Sequence, residues 1–256
     1  MLIDSHCHLD FEAFDADRQQ VIESCQQKNI RGFMVPAVAP RFWPRQLQLA
    51  SQYPQVALAL GLHPWYVSET AIESLRDLAE IFDRSPVPVL AIGETGLDKL
   101  KGNPELQLEG LKYQLSVAQE LDKPVILHSV KTHARLQNIL RDYPGVRGVV
   151  HGFSGSYEDA MRFIDIGFKL GIGGLITRPN ARKIRAAASR LPLHSMVLET
   201  DAPDMSPYDH RGARNSPENL LLILNCLAEL QQQDPEQIQR AVLANTRELF
   251  AWPPSV

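Results

Sequence analysis

One pattern constrains this chain more than any other: a short apolar run followed by a stretch of helical spacing, repeated eight times. The apolar runs are Leu2–Ile3, Gly32–Val35, Val56–Leu60, Val89–Gly93, Val125–Leu127, Gly148–Val150, Phe168–Gly171 and Met196–Leu198. Several are apolar throughout rather than alternating, as strands buried on both faces must be. Between them lie helical patterns over Asp17 to Lys28, Arg45 to Tyr53, Ile72 to Arg84, His133 to Tyr143, Ser156 to Ile166 and Ala181 to Arg190. Leu108, Leu111, Leu115, Ala118 and Leu121 mark one apolar helix face between the fourth and fifth runs. Two further helices, Pro217 to Leu230 and Pro235 to Phe250, follow the eighth run, each with proline near its start.

Eight strands alternating with helices over 256 residues have the size and rhythm of a (β/α)8 barrel. A doubly wound open sheet is the alternative, but it calls for a glycine-rich phosphate loop after the first strand. That place holds His6-Cys7-His8. No linker or low-complexity segment interrupts the pattern, so residues 1–256 are expected to form one domain.

Composition narrows the function classes. The longest apolar run, Val56 to Leu62, falls far short of the ~20 residues that span a bilayer. Met1-Leu2-Ile3-Asp4-Ser5-His6 has neither the basic nor the apolar region of a signal peptide. Three cysteines, Cys7, Cys25 and Cys226, form no disulfide framework and no Cys-x-x-Cys, which fits a reducing cytoplasm. With 26 basic and 30 acidic residues the net charge is −4, so any nucleic-acid contact must be local. Arg178, Arg182, Lys183, Arg185 and Arg190 are the densest basic group. A solvated helix face is the simpler account of them.

In a barrel of this kind the active site lies at the C-terminal strand ends. Strand one leads into His6 and His8, strand four into Glu94, strand five into His128, strand six into His151, and strand eight into Glu199-Thr200-Asp201. Alternation along a strand turns His6 and His8 to one face and Cys7 to the other. Imidazoles with carboxylates suit zinc, manganese or iron. Six donors exceed the needs of one tetrahedral ion, whereas a carboxylate shared between two ions would use them all. A single barrel histidine is more often a packed residue than a ligand; ionisable groups at five strand ends are not so explained. Asp4 and Glu199 could orient ligands or simply make buried hydrogen bonds. His133, His194 and His210 have no such placement.

Two other enzyme classes drop out. Gly152-Phe153-Ser154-Gly155-Ser156 lacks the final glycine of a serine nucleophile elbow. Gly171-Ile172-Gly173-Gly174-Leu175-Ile176 lacks the last glycine and the chain position of a dinucleotide fingerprint.

The same residues carry a family resemblance. Ile3-Asp4-Ser5-His6-Cys7-His8-Leu9-Asp10, Gly61-Leu62-His63-Pro64, Gly93-Glu94-Thr95-Gly96-Leu97-Asp98, Pro124-Val125-Ile126-Leu127-His128, His151-Gly152-Phe153-Ser154-Gly155, Glu199-Thr200-Asp201-Ala202-Pro203 and Arg214-Asn215-Ser216-Pro217-Glu218-Asn219 run in order along the chain. Together they resemble the TatD family of metal-dependent hydrolases, a branch of the amidohydrolase-like barrels. The resemblance implies two divalent cations. It puts His6 and His8 on the first, Glu94 across both, His128 and His151 on the second, and Asp201 on the first as base toward the attacking water. It puts His63 beside the substrate.

The activity implied is that of a deoxyribonuclease, often trimming from the 3′ end, with DNA as partner, in the cytoplasm. Zinc is favoured by the histidines, and magnesium or manganese by the carboxylates. No membrane contact and no obligate protein partner are implied. Family members commonly carry arginine two residues after the strand-five histidine; Val130 stands there, and Lys131 beside it is the substitute phosphate contact. Lys99 and Gly152 also depart from the usual residues. None of these positions is one of the six presumed ligands. Two other readings remain. A carboxylic ester or amide could be the target, for example an aminoacyl ester on tRNA. A barrel keeping metal only for stability or partner binding would not need the complete donor set.

Overall fold

The computed structural model describes residues 1–253. Its strands are β1 (Leu2–Asp4), β2 (Ile30–Pro36), β3 (Val56–Leu60), β4 (Val89–Asp98), β5 (Val125–Val130), β6 (Gly148–Val150), β7 (Phe168–Ile172) and β8 (Met196–Leu198). All eight lie parallel in one sheet in sequence order. The helices are α1 (Arg18–Gln27), α2 (Trp43–Gln52), α3 (Glu69–Glu73), α4 (Leu78–Arg84), α5 (Pro104–Glu120), α6 (His133–Leu140), α7 (Tyr157–Ile164), α8 (Arg182–Ala188), α9 (Leu220–Gln231) and α10 (Pro235–Phe250). This is the (β/α)8 barrel that the alternation predicts.

The eighth-to-first seam is closed by single bonds rather than a ladder. Ser5 N donates to Leu198 O at 3.0 Å, and Asp201 N donates to His6 O at 2.8 Å. The Asp4 carboxylate adds bonds from the Thr200 hydroxyl at 2.6 Å and the Thr200 N–H at 3.0 Å.

Strand alternation sorts the apolar side chains into two shells. Leu2, Phe33, Val35, Val56, Leu58, Val125, Leu127 and Val150 face outward, packed under the helices. Ile3, Met34, Ala57, Ala59, Ala91, Ile126, Val149 and Val197 point the other way, into the barrel. Leu249, Phe250 and Trp252, at and beyond the end of α10, join this inner set and plug the barrel's lower end.

Local signals account for the element ends. Asn103 caps α5, accepting from the amides of Glu105 and Leu106. Ser156 and Asp159 cap α7 reciprocally. The helix expected from Ile72 to Arg84 is instead α3, a 3-10 turn over Ser74–Asp77, and α4. Ser68 caps it earlier than the apolar spacing suggests, accepting from Ala71 N. The strands expected to end at Gly93 and Leu127 run on to Asp98 and Val130. Among the described residues no helix is long and apolar enough to cross a membrane.

Candidate metal centre

The first donors come from just beyond a strand. β1 stops at Asp4, so His6-Cys7-His8 is a connecting segment and not the strand the alternation rule assumed. Main-chain bonds fix it: Cys7 N donates to Met34 O at 3.0 Å, and His8 N to Ala202 O at 2.7 Å. Extended backbone held this way still alternates. His6 and His8 bring their Nε2 atoms within 3.3 Å of each other, while Cys7 is fully buried in the outer apolar shell. Asp4 does not join them. Its carboxylate is taken up by the His6 and Thr200 amides and the Thr200 hydroxyl, so its role is the structural hydrogen bond.

Glu94 sits at the middle, its two oxygens facing different groups. Oε1 lies 2.7 Å from His151 Nε2, 3.0 Å from His128 Nδ1 and 3.2 Å from His63 Nε2. Oε2 lies 3.4 Å from His6 Nε2 and 3.9 Å from His8 Nε2. Asp201 completes the second group, with Oδ1 3.4 Å from His6 Nε2 and 3.5 Å from His8 Nε2. All six expected ligands therefore meet in one cluster. His63, expected on the substrate side, also reaches the cluster, 3.2 Å from Glu94 Oε1 against 3.0 Å for His128, and lines the cleft above it.

The electrostatics of this cluster call for added positive charge. Burial raises Glu94, but the neighbouring His151 and His63 and the bond from His128 outweigh it and hold the carboxyl well below its usual range. Burial works against a charged His151, yet Glu94 and Asp201 lift it to about 10. His6, buried beside His151, falls to about 4. Burial pushes Glu199 up to about 8. Buried carboxylates that drive a proton onto an imidazole lack a countercharge. His6, His8 and His151 also leave Nδ1 buried without a partner while Nε2 turns into the cluster. The nitrogen and oxygen donors, converging with lone pairs inward, fit a divalent cation. Three overlapping groups of this cluster have the spacing of a metal site: His6 with Glu94 and His151, His6 with His8 and Asp201, and His63 with Glu94 and His128.

Two acids stand behind the histidines. Asp98 Oδ2 lies 3.2 Å from His128 Nε2 and accepts from Trp65 Nε1 at 2.6 Å. That leaves His128 Nδ1 for the cluster. Sequence reasoning gave Asp98 no role, although Glu94, Gly96 and Asp98 recur every second residue along β4. Glu199 accepts from the Gly152 amide and lies 3.9 Å from His151 Nδ1. Gly171 makes room for it, because a Cβ there would overlap the Glu199 carboxylate.

A cleft of about 680 Å³ opens above the cluster. His8, His63, Trp65, Lys131, His151 and Asp201 are among its lining residues, so Lys131 stands where a substrate contact was expected. Three carboxylates line the cleft, Glu94, Asp201 and Asp204; of the two in the cluster, Asp201 is the more open, its side chain 18% exposed against 3% for Glu94. The basic group at 178–190 does not line it. Arg178 and Arg185 donate to the carbonyls of Ser206 and Ile176, and Arg190 lies 4.1 Å from the Tyr157 ring centre. Arg182, Lys183 and Arg190 are exposed, as a solvated face would have them, whereas Arg178 and Arg185 are half-buried.

Comparison with known proteins gives consistent relatives. The sequence profile of the family described as "TatD related DNase" matches residues 3–251. The uncharacterized metal-dependent hydrolase YjjV of Escherichia coli K12 is 41% identical over 254 residues, covering 98% of each chain. The uncharacterized metal-dependent hydrolase YabD of Bacillus subtilis 168 is 30% identical over 254 residues, 98% of this chain and 99% of its own. The crystal structure of YjjV, a TatD homologue from Escherichia coli, superposes with a TM-score of 0.91 at 40% identity over 98% of both chains. A TatD-family hydrolase from Entamoeba histolytica shares the fold, with a TM-score of 0.85 at 18% identity over 97% of both.

Proposed function

This chain belongs to the TatD-related DNase family of metal-dependent hydrolases, and from that premise we propose that it is a phosphodiesterase that trims DNA from its 3′ end at a centre of two divalent cations. The observation that carries the reading is the division of Glu94. One oxygen faces His6 and His8 with Asp201 beside them, and the other faces His63, His128 and His151. A carboxylate so placed could be shared between two ions, should two be bound.

His6, His8 and Asp201 would hold the first ion, His128 and His151 the second, with Glu94 shared and His63 close enough to the second to assist. Bound there, divalent cations supply Lewis-acid polarisation of the phosphoryl group and lower the pKa of water at the site. Asp201, open to the cleft and kept ionised by its histidine neighbours, takes the proton from the attacking water. Lys131 meets a non-bridging phosphoryl oxygen as a point charge, without the two-pronged grip of an arginine. Asp98 and Glu199 keep His128 and His151 in their orientations.

The test uses metal-stripped protein given Mg²⁺, Mn²⁺ or Zn²⁺ in turn and a 5′-labelled single-stranded DNA oligonucleotide, with Asp201→Asn alongside. A ladder growing from the 3′ end in wild type and missing in the variant is the expected result. No cleavage by protein shown to hold metal overturns the phosphodiesterase reading in favour of a carboxylic ester or amide.

A further inference from the structure

A second cavity, of about 330 Å³, adjoins the cleft and shares Phe11, Val38 and Tyr66 with it. It lies within the size class of small-molecule pockets. The turns that follow β1 and β2 build it, Glu12–Phe14 and Pro40–Phe42, together with Tyr66 after β3. Its connection to the cluster is direct. The Phe11 ring stacks on His8, with centroids 4.5 Å apart and planes at 18°. Phe42 and Tyr66 stand at 86° to one another with centroids 6.4 Å apart, forming a corner of two rings. The Arg41 guanidinium lies 4.7 Å from the Phe42 ring centre and 5.1 Å from that of Tyr66.

The charges say what can enter. Asp10 and Glu12 line the pocket, and Arg45 is the basic residue among the lining. Arg45 is already committed to Asp15, with Nη2 2.5 Å from Oδ1. An anion is therefore unwelcome, and the phosphate belongs at the metal cluster instead. Asp10 is 4% exposed, and its Oδ1 has no hydrogen-bond partner, while Oδ2 accepts from Gln46 Nε2 at 3.1 Å. A buried acceptor left open costs free energy until a donor meets it. The fitting occupant is a neutral planar ring that stacks on aromatic faces and carries an N–H.

The geometry points to this pocket as the subsite for the nucleobase next to the scissile phosphate, between the Phe11, Phe42 and Tyr66 rings with Asp10 as its hydrogen-bond acceptor. The inference rests on the phosphodiesterase reading and names the part of the substrate that reading leaves open. Aromatic stacking tolerates every base, so the subsite selects nucleotides over simple phosphodiesters rather than one base over another.

Two readouts test it. Metal-loaded wild type is offered thymidine 5′-(p-nitrophenyl) phosphate and methyl p-nitrophenyl phosphate. Metal-free protein is titrated into a dinucleotide carrying 2-aminopurine, whose fluorescence falls on stacking. Ala13 is exposed at the pocket wall, and Ala13→Trp fills the space from outside without removing a core residue. Phe42→Leu keeps bulk and removes one ring. The expected result is a kcat/KM preference for the thymidine ester, carried by KM, that Ala13→Trp reduces at least about tenfold, the scale of one stacking contact. Quenching should be clear in wild type and weaker in Phe42→Leu. Equal kcat/KM for the two esters, or quenching undiminished in Phe42→Leu, overturns the subsite and leaves the phosphodiesterase standing. Hydrolysis of neither ester overturns the phosphodiesterase reading and this inference with it.

Discussion

The lower and upper halves of the barrel are built by the same strands and hold opposite chemistry. Below, the inward positions are Ile126 on β5, Val149 on β6 and Val197 on β8, sealed by Phe250 and Trp252. Two residues further along each strand direction, on the same inward face, stand His128, His151 and Glu199. The third strand makes the same change more gradually, through Ala57, Ala59, Gly61 and His63. The lower half gains stability from apolar burial, its inward cluster among the described residues being apolar. The upper half holds buried carboxylates and imidazoles at cost, with unpartnered nitrogens on three histidines. Stability and reactivity are separated by about 7 Å of strand, the rise of two residues.

Changes in one half should therefore leave the other half's property alone. The largest effect on chemistry is expected from Asp201→Asn: turnover lower by about 10²–10⁴-fold, the usual contribution of a general base, with an unchanged melting temperature. Kinetics and calorimetry on one sample would decide. Phe250→Ala should do the converse, costing about 3–5 kcal/mol of stability in a urea titration while metal content under native conditions stays as in wild type. Loss of metal in that variant would show that the lower half also sets the upper half's geometry.

Glu199→Gln should weaken metal binding by about 10–100-fold, through His151, as measured by competition with a chelator. Cys7→Ser sits at the boundary. It buries a hydroxyl among apolar groups at a cost of about 1–3 kcal/mol, and the metal stoichiometry should not change. A lost ion would place Cys7 on the donor side. The smallest effect belongs to the rim. Arg214 bonds both oxygens of Asp17 and keeps its carboxyl below the usual range. This pair stabilises above the unfolded carboxyl pKa, and its contribution fades as pH falls through the folded one. Asp17→Asn should cost about 0.2–1 kcal/mol at neutral pH and nothing at acid pH.

The lower half is nearly all legible in the sequence, because apolar period and length are what burial requires. β3, β6 and β8 fall where the apolar runs place them. The upper half is legible as residue types and less so as structure. β4 and β5 outrun their apolar segments because Glu94 and His128 continue the strand inside a polar interior, which a rule based on apolar runs cannot follow. β1 stops early because seam bonds replace the ladder. Gln107 and Gln114 show what periodicity overlooks. They lie on the apolar face of α5, and their amides hold neighbouring loops: Gln107 accepts from Asp98 N and Gln114 from Leu62 N. A glutamine recurring on such a face is itself a signal of a loop in need of a partner. His63 is legible as a strand-end histidine, but its 3.2 Å approach to Glu94 depends on where β3 stops relative to β4.

The seam between β8 and β1 has a consequence in time. Asp4 finds its partner 196 residues later, and Ser5 bonds Leu198 across 193. His6 meets Asp201 across the same join. A ribosome releases the chain from the amino end, so His6 and His8 emerge before the other donors. No nascent fragment ending before residue 201 can assemble the full donor set. The donor cluster can therefore form only after β8 has been made and has met β1.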